Sequence, residues 1–276
     1  MPIPPTSSGR KAARTAHHIT KAEPRTRVTS PYFHDEGTQR LPDYLVPNLD
    51  VVFCGINPGT ESGAQRRHYA HRSNHFYRCV HAAGLTARLY TPQEDHLFPH
   101  ATPYRLGLTN LAHRPTARSE QLTRAELEQG VVPLLRKVGE YYPRIVCFVG
   151  KHIAEVVLRI VRKTYTLTSH TWNGPPDLLC ADSAMCTEPT TSAVSQRDRG
   201  YGLLPLCIRH AHGYTYLFVT PSTSARVTHH QLDGKSRIMS YLVPILSSLG
   251  ENSTSNTTST PYVIPCLDIS TSSLRT

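Results

Sequence analysis

Two loops in this chain carry side chains able to do chemistry. Gly55-Ile56-Asn57-Pro58-Gly59 follows one short apolar run, and Pro221-Ser222-Thr223-Ser224-Ala225-Arg226 follows another. Ligands of open parallel sheets sit at the carboxyl ends of the strands, which is where both loops fall. The first offers a carboxamide. The second offers hydroxyls, a guanidinium and a helix N-terminus, a set suited to phosphate. Each also has a plainer reading, because Asn57-Pro58-Gly59 makes a turn unaided and Ser or Thr can simply cap a helix. The sequence has no Gly-x-x-x-x-Gly-Lys-Ser/Thr loop and no Cys-x-x-Cys pair. A nucleotide-hydrolysing P-loop enzyme and a thiolate metal site are therefore poor fits.

These loops need elements to position them. Asp50 to Ile56 reads as a buried strand running into a turn, and Asn74 to Gly84 as a helix with a capping residue first. Thr123-Arg124-Ala125-Glu126 is a capping box whose helix should run toward Tyr141, kinked at Pro133. Arg144 to Val149 reads as a second buried strand. Gly150-Lys151 then turns into a helix with an apolar stripe at Ile153, Val156, Val157, Ile160 and Val161. Tyr214 to Val219 is a third strand, and a last helix is expected over Val227 to Ser247, weakened by Gly234 and bent at Pro244. Strand alternating with helix predicts an α/β protein with a parallel sheet covered on both faces. The expected organisation is a basic disordered arm over 1–40, a domain over 41–249 with a mobile insertion at 165–200, and a Ser/Thr-rich tail over 250–276.

The order and spacing of several motifs add to this. Phe53-Cys54-Gly55-Ile56-Asn57-Pro58-Gly59, Tyr69-Ala70-His71, Asn74-His75-Phe76 and the 221–226 loop together resemble the mismatch-specific uracil/thymine DNA glycosylases of the uracil-DNA glycosylase superfamily. Leu108-Thr109-Asn110, Arg114-Pro115-Thr116, the Thr123 helix start, Tyr142-Pro143-Arg144 and Gly150-Lys151 extend the match. The resemblance implies a three-layer α/β/α sandwich with a mostly parallel sheet. It implies a monofunctional enzyme that flips uracil, thymine or a damaged pyrimidine out of a G·U or G·T mismatch. The enzyme would hydrolyse the N-glycosidic bond and so initiate base excision repair.

On this resemblance Asn57 is catalytic and positions the attacking water. Its amide oxygen can orient water but cannot take a proton as a carboxylate can. Ile56, Tyr69, Asn74 and Asn110 would bind the base. Tyr69, twelve residues after Asn57, is the stacking aromatic, and the Asn110 amide would face the pyrimidine edge. Asn74 reads equally as a helix cap. Ser222, Thr223, Ser224, Ala225 and Arg226 would form the wedge behind the extruded nucleotide, with backbone groups of 223–225 reading the orphaned guanine. The resemblance implies no metal and no cofactor. Its partner would be mismatched double-stranded DNA, its state a monomer, and its location the nucleus, with the mitochondrion as the alternative.

The sequence departs from the family pattern in places. Arg66, Arg67 and Arg72 bring charge to the base-binding stretch, where they would either strengthen phosphate contact or crowd the pocket. His68 and His71 read as exposed neighbours of Tyr69, and Glu61 as a solvated turn residue. Other branches carry a His-Pro-Ser-Pro loop where this chain has Thr220-Pro221, which leaves the departing base to backbone amides.

Composition agrees with a polyanion partner. Lys plus Arg number 30 against 20 Asp plus Glu, a formal charge of +10. No apolar run is long enough to span a bilayer. Seven cysteines, with Cys54, Cys79 and Cys147 inside apolar segments, point to a reducing compartment. The competing reading is a catalytically silent DNA-binding module that keeps the fold.

Overall fold

The computed structural model describes residues 40–172, 198, 200–250 and 262–270. Most of the expected arm, insertion and tail lies outside these residues. The first half contains β1 (Val51–Gly55), α1 (Thr60–Gln65), α2 (Phe76–Ala82), β2 (Leu106–Asn110), α3 (Arg124–Gln129) and α4 (Val131–Tyr141). The second half contains β3 (Ile145–Val149), α5 (Lys151–Thr164), β4 (Thr168–Trp172), β5 (Gly202–His210) and β6 (Gly213–Thr220). It closes with α6 (Leu232–Ser240), α7 (Leu242–Gly250) and β7 (Tyr262–Asp268).

The strands form one sheet in the order β2-β1-β3-β6-β5-β7-β4. The β2-β1-β3-β6 block is wholly parallel, β5 returns antiparallel to β6, and β7 runs parallel to β5. Side chains alternate between two cores, as the twofold repeat of a strand requires. Val51, Phe53, Ile145, Cys147, Tyr216 and Phe218 join a core with Phe76 of α2 and with Ile238 and Met239 of α6. Val52, Cys54, Val146, Phe148, Leu217 and Val219 face Leu134 and Leu135 of α4 and Val156 and Val157 of α5. Helices on both faces make the three-layer α/β sandwich.

The strands start at a well-paired end. Arg144 Nη1 meets Asp50 Oδ1 at 3.0 Å, and the second Asp50 oxygen accepts the Arg105 amide at 2.8 Å. Arg144 also donates to the Leu246 carbonyl, tying α7 to the same edge.

The structure corrects two expected kinks. The helix opened at Thr123 breaks at Gly130, not at Pro133, which sits in the first turn of α4. Proline is tolerated there because first-turn amides have no helical acceptor. The break falls where the chain presses on the segment after β2: a Cβ on Gly130 would lie 2.1 Å from the Leu111 carbonyl oxygen. The last helix likewise divides at Tyr241, and Pro244 falls in the first turn of α7. Four strands, β2, β4, β5 and β7, also arise where none is expected. β4 lies within the 165–200 stretch and pairs with β7, which lies within the expected tail. Trp172 of β4 is buried.

Two glycine substitutions test this packing. Gly130→Ala should lower stability by about 1–3 kcal/mol, the usual cost of forcing volume into a packed contact. Gly59→Ala, where a Cβ would meet nothing within 4 Å, should leave the thermal midpoint nearly unchanged. Equal midpoints for both variants would refute the Gly130 contact.

Candidate active site

The parallel strands end very differently from how they begin. Gly55 continues the face of Val51 and Phe53, and Asn110 continues that of Leu106 and Leu108. The alternation that fills the core thus delivers a glycine and a carboxamide to neighbouring strand ends. A Cβ on Gly55 would lie 2.4 Å from Asn110 Oδ1 and 3.3 Å from the Tyr69 hydroxyl. Only glycine leaves room for both groups.

Beyond the strand ends, the loops after β1 and β2 stay zipped together. Leu111 and Ala112 donate their amides to the Gly55 and Ile56 carbonyls, each at 2.8 Å, and Thr116 donates to Pro58 at 3.1 Å. Asn57 is fixed between these loops. Its Nδ2 donates to the Arg114 carbonyl at 2.8 Å and to Thr116 Oγ1 at 2.7 Å. A carbonyl can only accept, so the nitrogen must face Arg114 and Oδ1 must point the other way. Arg114 is itself held by Glu126, which also completes the Thr123 capping box. The Arg114 guanidinium, followed by the Thr123 amide and hydroxyl, draws the Glu126 carboxyl down to about 2.

Tyr69 sits in the left-handed region, with φ of 52°. That conformation costs a non-glycine residue about 1–3 kcal/mol unless its surroundings impose it. Here they do. Ala70 donates to Ser62 Oγ at 3.0 Å, the His68 amide donates to Asp95 Oδ2 at 2.9 Å, and Tyr77 donates to the His68 carbonyl at 2.8 Å. The Tyr69 ring stacks on Phe76 with centroids 3.8 Å apart. The residue is partly exposed, while its hydroxyl is buried without a hydrogen-bond partner among the described residues. Burial holds that phenol far above its usual pKa, so it stays protonated.

The charged neighbours resolve plainly. Arg67 turns away to pair with the wholly buried Asp95 at 2.7 Å, which braces the Tyr69 segment. Arg66 and Arg72 are exposed. His68 is buried, contrary to the exposed position expected for it. Its Nε2 donates to the Pro42 carbonyl at 2.8 Å, and burial depresses its pKa. Glu61 lies in the first turn of α1 and accepts from Gln65. Asn74 Oδ1 accepts the Phe76 amide at 3.0 Å from one residue before the N-cap of α2, which is His75. Ile56 is partly exposed beside Asn57.

The 221–226 loop closes over the same end. The His75 amide donates to the Thr223 carbonyl at 2.9 Å, and Lys235 Nζ donates to the Ser224 carbonyl at 2.8 Å. Ser222 Oγ accepts the Ser224 amide at 3.4 Å. Arg226 reaches across to the Ala117 carbonyl at 3.1 Å, one residue beyond the Thr116 that holds Asn57. Ala225 and Arg226 are exposed, as is Arg118 on the facing loop. Beside them opens a cleft of about 570 Å³ lined by Lys151, Tyr201, Thr228, His229 and His230.

The structure thus gathers Asn57, Tyr69, Asn110 and the 222–226 loop at one end of the parallel strands. The braces Arg114, Thr116, Asp95 and Lys235 escaped sequence reasoning. Only Arg114-Pro115-Thr116 left a signal there, as a motif of position and not of role. Among the described residues no cluster of three or more His, Cys, Asp or Glu could hold a metal ion.

A family model described as the uracil DNA glycosylase superfamily matches residues 42–243. That span runs from ahead of β1 into α7.

The Arg114–Glu126 clamp makes a prediction for acid. A carboxyl lowered from 4.5 to about 2 contributes stability above its unfolded value and loses it as pH falls toward 2. Titration of the Glu126 carboxyl carbon by NMR should show a midpoint near 2, moving up toward 4.5 in Arg114→Ala. An unshifted midpoint in the intact chain would remove the clamp.

Proposed function

Because the chain belongs to the uracil DNA glycosylase superfamily, whose members are DNA N-glycosylases, we propose that it excises uracil or thymine paired with guanine in double-stranded DNA. The observation that carries this reading is the two-point fixation of the Asn57 nitrogen, which leaves Oδ1 as the acceptor at the strand ends. An extruded nucleoside entering there would bring its anomeric carbon near Asn57 and its base toward Tyr69 and Asn110. Oδ1 accepts a hydrogen bond from water and aims the oxygen at the anomeric carbon. The glycosidic bond breaks, the base leaves with the bonding electrons, the water oxygen joins the sugar, and the proton passes to solvent. Positioning supplies the rate here, because a carboxamide takes no proton.

Base recognition falls to two groups with no side-chain hydrogen bond among the described residues. The Tyr69 hydroxyl and the Asn110 carboxamide flank Gly55, and an amide can match the donor and acceptor edge of a pyrimidine. The other face of the strand ends serves the duplex. Arg226, Arg118, Arg66 and Arg72 are exposed on these loops, where they suit phosphates. The 222–226 loop enters the stack as the wedge, and the protein works as a monomer without a cofactor.

Labelled duplexes carrying G·U, G·T and A·U, incubated with the protein and then treated with alkali, test the reading. Strand cleavage at G·U and G·T supports it, whereas binding without cleavage marks a silent DNA-binding module. Asn57→Ala should slow single-turnover excision by about 10²–10⁴-fold, or roughly 3–5 kcal/mol, with binding retained. Excision at the wild-type rate would take Asn57 out of the mechanism.

A further inference from the structure

Lys235 is wholly buried on the face of α6 that packs against α2, in line with Ile238 and Met239. An aliphatic side chain would fill that position without the cost of burying an ammonium. Its one hydrogen-bond acceptor among the described residues is the Ser224 carbonyl, at 2.8 Å. The groups facing it are His75 and Cys79 of α2, and neither is an anion that would neutralise it. Its geometry serves the loop and not the core.

A peptide is planar and trans, so its carbonyl and the next amide point in opposite directions. The Ser224 carbonyl accepts both Lys235 Nζ at 2.8 Å and, in a local turn, the Val227 amide at 3.2 Å. With it so directed, and Lys235 the side chain that draws it inward, the Ala225 N–H is turned outward. Ala225 is exposed, and its amide makes no hydrogen bond among the described residues. The preceding carbonyl, that of Thr223, is likewise drawn inward by the His75 amide. The loop therefore shows the duplex a donor at Ala225, with both neighbouring acceptors withheld.

We propose that Lys235 is a positioning residue that sets the Ser224–Ala225 peptide plane, and thereby makes excision depend on the base opposite the target. This rests on the glycosylase reading above. An outward N–H pairs with the O6 acceptor of guanine and meets the N6 amino donor of adenine unfavourably. The preference for guanine then comes from a peptide orientation that a buried ammonium imposes from behind.

The test compares wild type, Lys235→Met, Lys235→Arg and Ala225→Pro. Substrates are uracil opposite guanine, uracil opposite adenine, and uracil in a single strand, under single-turnover conditions. Lys235→Met should reduce the G·U to A·U rate ratio about tenfold, in line with the worth of one base-edge contact, and leave the single-strand rate within about twofold. Lys235→Arg, which can still donate to Ser224, should restore most of the ratio. Ala225→Pro, which removes the N–H from an exposed loop, should lower the ratio even if Lys235→Met does not fold. An equal loss on all three substrates in Lys235→Met, or an unchanged ratio in Ala225→Pro, overturns the proposal. The Ala225 amide resonance is read in parallel and should move in Lys235→Met. If wild type excises nothing, the glycosylase reading falls. The amide shift then still decides whether Lys235 sets the peptide, and an unmoved resonance would refute that as well.

Discussion

The hydrogen bonds from the Asn57 amide nitrogen to the Arg114 carbonyl and the Thr116 hydroxyl are the constraint on which the site depends. A carboxamide has two ends that differ only in what they donate or accept, and free rotation would present either one. Spending the nitrogen on a carbonyl removes the choice. The fixation works because the loops after β1 and β2 remain paired beyond the sheet, through Gly55, Ile56 and Pro58 on one side and Leu111, Ala112 and Thr116 on the other. The Arg114–Glu126 pair then anchors the second loop to the start of α3. Together these interactions hold one oxygen in place.

The two ends of the parallel strands show opposite economies of polar groups. At the start, Asp50 takes both Arg144 and the Arg105 amide. At the finish, the Tyr69 hydroxyl, His75 Nδ1 and Thr220 Oγ1 are buried without partners among the described residues. Each such group costs about 1–3 kcal/mol in a folded protein. Tyr69 adds a left-handed backbone on top. Burial depresses the pKa of His75, and the nearby Lys235 and Arg78 charges depress it further, which keeps the imidazole neutral. Unspent donors and acceptors gathered at one place are what a binding site requires, and the core beneath supplies the stability to keep them unspent.

The sequence displays the strands and the residues that touch ligand better than it displays what braces them. Val51 to Gly55 and Ile145 to Val149 are short apolar runs that lie buried on both faces, so composition alone marks them. Asn57 and Tyr69 stand in local motifs. Pro133 and Pro244 mislead because a proline within a helical pattern looks the same at a kink as in a first turn. Only the contact of Gly130 with Leu111 identifies the true break. β4 pairs with β7, and β7 with β5, across long separations; the Thr and Ser of β4 read as loop, and β7 is a short run interrupted by Pro265 within a Ser/Thr-rich stretch. Asp95 and Lys235 look like surface charges in a linear sequence. Their burial is decided by Arg67 and by the Ser224 carbonyl, 28 and 11 residues away.

These braces converge on one loop. Residues 114–117 hold Asn57 through the Arg114 carbonyl and the Thr116 hydroxyl, and hold Arg226 through the Ala117 carbonyl. On the proposed reading, the group that would aim water and the arginine of the wedge therefore share a support four residues long, and neither can be repositioned alone. On the proposed reading, where a carboxamide stands in place of a general base, that coupling matters more than raw reactivity. A weak water-positioning group makes turnover depend on how well the nucleoside is held. A support shared with the wedge makes that holding depend on the duplex around the target. Selectivity in such a site would be carried by geometry, and that geometry by the Thr223 and Ser224 carbonyls, whose directions are set from behind by the His75 amide and Lys235.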